Sequence, residues 1–286
     1  LKASYTVTVS ENTTKLSISD VSVKCASDGL NVTWKSSGKP DGFYVYRSIY
    51  QNGKWESWKR IKDVTNGNTL KWKDKNVDSS TLYRYTVRSY NTSGKSDYTD
   101  KNVVQAYFVS KPTVKLANGS KGVNVSWSKS KNASGYYIYR KEKKSDSWKK
   151  VKTADSKTTK WTDTDSKAGK QYYYTVVAYR SKSRSAFETD KALYRLAQPD
   201  FTLSNTSKGV AVKTKANKSI DGYRIYKKDS DGKWQRVATV KANKAVTWTD
   251  TSVKKNKKYT YTVRAYKKND LSSYHAGKSV TYKGGK

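Results

Sequence analysis

Chemistry-bearing residues are scarce in this chain: one cysteine, one histidine, three prolines and no methionine in 286 residues. A lone Cys25 excludes an intrachain disulfide and a cysteine-based zinc site. A lone histidine, His275, excludes histidine clusters, and no nucleophile or orienting acid is spaced to make it the base of a triad. Phosphate-cradling glycine loops, nucleophile elbows and metal-ligand clusters are missing, so no catalytic residue, cofactor or metal is expected and the chain reads as a non-enzyme. No apolar run approaches the roughly 18 residues needed to span a membrane, and no signal peptide is visible. Methionine is missing even at position 1, which reads as a processed or truncated product. Acidic residues are few, 23 against 59 Lys and Arg, leaving a net charge of +36 and a pI near 10.0. Only 34% of the chain is hydrophobic, which argues against one large core.

What is abundant changes the packing arithmetic. The 24 tyrosines and 9 tryptophans each remove a large apolar area from water when buried, so several small cores are feasible. The positive charge predicts attraction to anionic surfaces such as acidic glycans, wall polymers, phospholipid heads or nucleic acid. The competing reading is a soluble, lysine-coated surface with no evolved ligand.

The chain repeats itself. Gly42-Phe43-Tyr44-Val45-Tyr46-Arg47 returns as Gly135-Tyr136-Tyr137-Ile138-Tyr139-Arg140 and as Gly222-Tyr223-Arg224-Ile225-Tyr226-Lys227. Trp58, Trp148 and Trp234 recur ahead of a basic-apolar run, Trp72-x-Asp74 recurs as Trp161-x-Asp163 and Trp248-x-Asp250, and Tyr83, Tyr172 and Tyr259 open matching runs ending in Val87, Val176 and Val263. These landmarks keep their order at spacings of 86 to 93 residues.

Each repeat reads as strand. Val123–Trp127 and Tyr259–Val263 alternate apolar and polar, the period of a half-buried strand. Asn52-Gly53, Asn118-Gly119 and Asp231-Gly232 fall between such runs as hairpin signals. About seven short strands in about 90 residues predicts a two-sheet sandwich. The expected architecture is all-β, three tandem antiparallel β-sandwich domains in an extended rod, with Lys111-Pro112 and Gln198-Pro199 opening the later copies. The expected boundaries are 1–19 as a linker or remnant strand (Tyr5 to Val9 alternates), then domains at 20–108, 109–197 and 198–286. The chain is expected to be a monomer.

These residues resemble the fibronectin type III family over most of the chain. The resemblance rests on Trp34 and Trp127 as strand-B tryptophans, Phe43 and Val45 on strand C, and Tyr83, Tyr172 and Tyr259 at the tyrosine-corner position. Trp-x-Asp and Lys258–Tyr266 look like copies found in secreted or surface Gram-positive bacterial proteins. The resemblance implies a secreted or cell-surface location. Thr214 departs from the pattern, replacing the tryptophan, and predicts a thinner third core refilled by Tyr223 or Trp248. Cys25 stands where the other copies carry Leu116 and Leu203 and is expected to act as a small buried hydrophobe.

Alternation selects a candidate binding face. With Phe43 and Val45 inward, Tyr44 and Tyr46 face out, as do Tyr137, Tyr139 and Tyr226. With Tyr85 and Val87 inward, Arg84 and Arg88 face out, and Arg224 and Arg264 join them in the third copy. Tyrosines beside arginines suit stacking on sugars, cation–π contacts or anion capture. The alternative is that they only stiffen the sheet through cross-strand pairs. Asp163-Thr164-Asp165 lacks the further oxygen ligands calcium requires and reads as turn chemistry.

Three functions compete. The first is a non-enzymatic extracellular binding, adhesion or spacer array whose partner is a protein receptor or an anionic glycan or wall polymer. The second is a released, host-directed signalling polypeptide like irisin, a secreted fibronectin type III polypeptide. The third is the accessory region of a polysaccharide-active secreted enzyme. Neither specific nucleic-acid recognition nor membrane insertion is expected. Charge is uneven: residues 20–108 carry 15 basic and 9 acidic side chains, 109–197 carry 21 and 7, and 198–286 carry 21 and 6.

Overall fold

The computed structural model describes residues 15–188, 191–242 and 244–284. The alternation expected for residues 5–9 lies outside them. The fold is all-β, three antiparallel sandwiches in tandem, and the one helical element among the described residues is a single 3-10 turn at Asp100–Asn102. The chain divides into two compact units. One holds the first repeat with residues 130–136 and 177–186 of the second, and the other holds the rest of the second repeat and the third.

The first repeat comprises β1 (Ser17–Cys25), β2 (Leu30–Ser37), β3 (Gly42–Gln51), β4 (Lys54–Trp55), β5 (Lys59–Val64), β6 (Lys71–Asp74), β7 (Leu82–Asn91), β8 (Gly94–Lys95) and β9 (Val104–Tyr107). One sheet runs β1-β2-β6; the other runs β4-β3-β7-β8, with β5 on β3 and β9 on β7. β1 begins within residues 1–19, the expected linker or remnant strand, since Ser17 and Ile18 already pair with Ser37 and Ser36. The second repeat adds β10 (Val114–Asn118), β11 (Val123–Trp127), β12 (Gly135–Lys141), β13 (Lys149–Asp155), β14 (Lys160–Asp163), β15 (Gln171–Arg180), β16 (Ser183–Arg184) and β17 (Ala192–Tyr194). Its sheets run β10-β11-β14 and β13-β12-β15-β16, with β17 on β15. The third repeat adds β18 (Phe201–Thr206), β19 (Gly209–Thr214), β20 (Gly222–Lys228), β21 (Trp234–Lys241), β22 (Val246–Asp250), β23 (Lys258–Lys267), β24 (Asp270–Leu271) and β25 (Lys278–Thr281). Its sheets run β18-β19-β22 and β21-β20-β23-β24, with β25 on β23.

Alternation decides what is inside. Val32 and Trp34 of β2, Phe43 and Val45 of β3, and Tyr83, Tyr85 and Val87 of β7 form the first core, while the intervening residues face away from it. Asn52-Gly53 takes positive φ at both residues, 52° and 78°, which suits a tight hairpin with the strands' right-handed twist. A second glycine requirement recurs at Gly29, Gly122 and Gly209, where a Cβ would collide with the backbone oxygen of Asp74, Asp163 or Asp250.

Each of those aspartates anchors a buried polar knot. Asp74 accepts the Tyr85 hydroxyl at 2.9 Å and Arg47 Nη1 at 2.7 Å, and its other oxygen accepts the Asn76 amide at 3.0 Å. Asp163 does the same with Tyr174 at 2.7 Å, Arg140 at 2.7 Å and the Asp165 amide at 3.2 Å. Asp250 does so with Tyr261 at 2.8 Å, Lys227 Nζ at 2.8 Å and the Ser252 amide at 3.0 Å. The turn reading of Asp163-Thr164-Asp165 thus has its geometry, because the Asp163 carboxylate is already occupied by protein donors. Burial and the facing carboxylate push all three phenols well above the usual tyrosine range, so they stay hydrogen donors. Burial would lift the Asp250 carboxyl, but donation from Lys227, Ser252 and Tyr261 outweighs it and holds it below the usual range. The tyrosine-corner positions also have partners: the amides of Asp78, Lys167 and Lys254 donate to the hydroxyls of Tyr83, Tyr172 and Tyr259 at 2.8, 2.9 and 2.8 Å.

The alignment of Cys25 needs correction. Cys25 pairs with Leu30 as Asn118 pairs with Val123 and Asn205 with Val210, so it stands with the two asparagines; Val23 is the counterpart of Leu116 and Leu203. It is half-buried and packs against the first core, as expected of a small hydrophobe, and it also takes a polar role. Its Sγ donates to Tyr107 O at 3.3 Å and accepts the Val109 amide at 3.4 Å. Asn118 makes the same clamp on Tyr194 O and the Leu196 amide at 2.9 Å each, and Asn205 makes it on Thr281 O at 3.0 Å and the Lys283 amide at 3.4 Å. Burial pushes the Cys25 thiol pKa up, so it remains a neutral, weak substitute for the amide.

The third core is reorganised around Thr214. Tyr223 is buried and donates to Lys215 O at 2.8 Å, and Ile220 joins the core where the first two repeats have Pro40 and Ala133. Trp248 packs against this core as Trp72 does against the first, so it is no special replacement. The Thr214 hydroxyl is buried without a hydrogen-bond partner, and a cleft of about 300 Å³ is lined by Lys215, Ala216, Ile220, Tyr223, Leu196 and Pro199.

Candidate binding face

The face of the larger sheet that turns away from the core carries the predicted residues. In the first repeat Tyr44 pairs with Arg88 and Tyr46 with Thr86 across β3 and β7, and Ser48 pairs with Arg84. Tyr44, Tyr46, Arg84 and Arg88 are all half-buried. Tyr44 stacks on Tyr90 with centroids 4.3 Å apart and planes 15° apart, beneath Arg60 at 4.6 Å and Lys95 at 5.2 Å. Arg84 lies over Trp55 and Trp58, 4.6 Å from each ring. Such contacts contribute about 0.5 to 2 kcal/mol, more as water is excluded.

A bulge helps build this arrangement. Val45 pairs with Lys62 but Tyr46 with Arg60, leaving Ile61 as an extra residue in β5, and Ile225 and Tyr226 skip Val237 in the same way. Trp58 and Trp234 precede these bulges, where the added local twist re-aims the edge strand.

A third group completes the face, and it escaped the sequence reading. After β7 the Ser96 hydroxyl accepts the Ser89 amide at 3.0 Å; Ser185 and Ser272 receive Ala178 and Ala265 in the same way, also at 3.0 Å. Two residues past each serine stands an exposed aromatic: Tyr98, Phe187 and Tyr274, 45, 43 and 42% exposed. Each meets the tryptophan at the head of the edge strand of its own repeat, Trp58, Trp148 or Trp234, at 6.2, 6.4 and 6.3 Å between centroids. The recurring Ser-x-aromatic was the available signal, at spacings of 89 and 87 residues. It sits in a segment without strand alternation, so a period search passes over it.

Arg88 and Arg264 position this segment, their Nε donating to Ser96 O at 2.8 Å and Ser272 O at 2.6 Å. In the second repeat Tyr137 lies under Lys150 at 4.6 Å, and Tyr139 packs against Phe187 at 5.2 Å. Lys141 lies 4.8 Å from the Trp148 ring. In the third, Arg224 lies over Tyr266 at 5.4 Å, Arg264 over Tyr274 at 4.3 Å, and Trp234 stacks on Tyr274 at 12°. Tyr226 is 7% exposed beneath the edge of Tyr274, so Tyr274, not Tyr226, presents its ring to solvent there. His275 lies beside this face with its ring edge-on to Phe201 at 5.6 Å and Nδ1 accepting the Gly277 amide at 3.3 Å. Among the described residues no helix is long and apolar enough to cross a membrane.

No protein-family model matches the chain, and no curated protein matches it. Similar solved structures include the FN1–FN3 domains of chicken CNTN1, 16% identical over 93% of this chain and 98% of that one, with a TM-score of 0.32. A two-domain fibronectin type III segment of chicken tenascin is 15% identical over 62% of this chain and 98% of that one, with a TM-score of 0.33. The chicken interferon gamma receptor alpha chain is 11% identical over 60% and 98%, with a TM-score of 0.33.

Proposed function

We propose that the chain is a non-enzymatic extracellular binding array of fibronectin type III-like modules, each using the outward face of its larger sheet to hold an anionic partner. One observation carries this reading: all three repeats spend exposed aromatics and clustered cations on the same face, with Tyr98, Phe187 and Tyr274 at its solvent edge. A merely solubilising lysine coat would not require large rings to stand in water at the same place three times. The net charge of +36 adds long-range attraction that fades over a Debye length of about 8 Å at physiological ionic strength.

The test is binding of the labelled chain to mammalian cells at physiological and raised salt. Saturable binding that keeps a salt-resistant component supports the face, because ring contacts are not screened. Saturable binding wholly indifferent to salt would instead favour a host receptor and the released-ligand alternative. Unsaturable binding that disappears with salt would reduce the function to bulk charge and a spacer role.

A further inference from the structure

The third repeat differs from the first at the centre of the face. Where Tyr44 pairs with Arg88, Arg224 pairs directly with Arg264, so two guanidinium-bearing residues sit opposite one another across β20 and β23. Like charges in that relation repel. Among the described residues neither arginine has a carboxylate within ion-pair distance. Arg264 spends its Nε on Ser272 O, and the Arg224 Nε donates no hydrogen bond. Lys228 continues the cations, 5.3 Å from the Trp234 ring. Beside them Trp234 and Tyr274 lie nearly parallel, and Tyr274 is 42% exposed.

We infer that this patch is a subsite for an anionic polysaccharide. Arg224 and Arg264 take a sulfate or carboxylate group, and the exposed part of the Tyr274 ring, stacked on Trp234 and lying under Arg264, contacts the adjoining sugar ring. The inference rests on the proposed binding face and narrows it to one repeat and one ligand class. Several cations in line fit a ligand with repeating negative charge, and guanidinium forks match the planar spread of oxyanion acceptors. Flat aromatic surface beside them fits a pyranose ring better than an irregular peptide. The first repeat lacks the arginine pair because Tyr44 occupies the position of Arg224, leaving Arg88 opposite a ring.

The experiment measures binding of the full chain to dextran sulfate, unsulfated dextran and polyglutamate of similar length. The variants are R224Q/R264Q and K208Q/K218Q, the latter removing the same charge from exposed positions in the same repeat. The arginine pair is expected to weaken dextran sulfate binding by about tenfold or more, and the lysine pair by less than about twofold, because only the arginines make charge-assisted contacts in the subsite. If R264Q disturbs folding through Ser272, Arg224→Gln alone carries the test, with a smaller loss in the same direction. Equal losses in the two double variants would overturn the subsite, as would polyglutamate binding with the same arginine dependence. Intact binding in R224Q/R264Q but loss in Y98S/F187S/Y274S would sink the subsite and leave the wider face standing. Failure of the wild-type chain to bind any of these ligands or cells saturably would remove the proposed function itself.

Discussion

The first and third repeats share a skeleton and spend their cations differently. In the first, Arg84 is held over two tryptophans and Tyr44 is covered by Tyr90, Arg60 and Lys95, so the face satisfies much of itself. In the third, Arg264 and Arg224 also lie over rings, Tyr274 and Tyr266, but they oppose each other across the strands, where the first repeat opposes Tyr44 to Arg88. The invariant parts are buried and polar: the Asp–Tyr–cation knot, the tyrosine-corner bond and the serine that sets the exposed aromatic. The fold therefore depends on what is repeated inward, while the proposed binding differences lie on the outward positions of the same strands.

The sharpest way to break the comparison is through its shared element. Asp74→Asn leaves Arg47 and Asp250→Asn leaves Lys227 as a mostly buried cation without its anion, and each is expected to cost about 3 to 5 kcal/mol. Denaturant unfolding followed by tryptophan fluorescence reads the loss; a cost below about 1 kcal/mol in either repeat would show that the knot is not what holds the sandwich. The clamp separates the repeats next. Asn118→Ala is expected to cost about 1 to 3 kcal/mol by orphaning the Leu196 amide and the Tyr194 carbonyl. Cys25→Asn should stabilise the first repeat by up to about 1 kcal/mol, and destabilisation would mean that the site cannot hold an amide. In the third core, Thr214→Val removes a buried hydroxyl with no partner and is expected to raise stability by about 1 kcal/mol.

Acid gives the smallest and most graded difference. The folded Asp250 carboxyl is held below its unfolded value of about 3.8. Its contribution is therefore fully present above the unfolded value and lost as the pH falls through the folded one. Acid unfolding of wild type against Asp250→Asn checks the sign: the gap between them should narrow as the pH falls below about 4. A gap that widens in acid would contradict the assignment.

Much of the fold was legible because the signals are periodic. Phe43-x-Val45 and Tyr85-x-Val87 declare their inward sides, and Asn52-Gly53 declares its hairpin. The orientation of Tyr44, Arg84 and Arg264 followed from the same alternation. Three things were not legible, each for a physical reason. Arg47 lies on the inward side of β3 because Asp74, 27 residues on, supplies its counter-charge, which no local pattern reveals. Cys25 was matched by apolar character to leucines, whereas register depends on the irregularity between Ser19 and Ser22 and on how the β1–β2 turn closes. Tyr98, Phe187 and Tyr274 lie outside strands, and their position depends on a serine bonding back to the preceding strand.

The central claim is that the outward aromatic-cationic face, not bulk charge, binds the partner. The most direct measurement compares wild type with Y98S/F187S/Y274S, which keeps the charge of +36, for saturable cell binding at physiological and raised salt. The account predicts that the triple variant loses the saturable, salt-resistant component and keeps only the salt-sensitive background. Indistinguishable isotherms for the two proteins at both salt concentrations would contradict it.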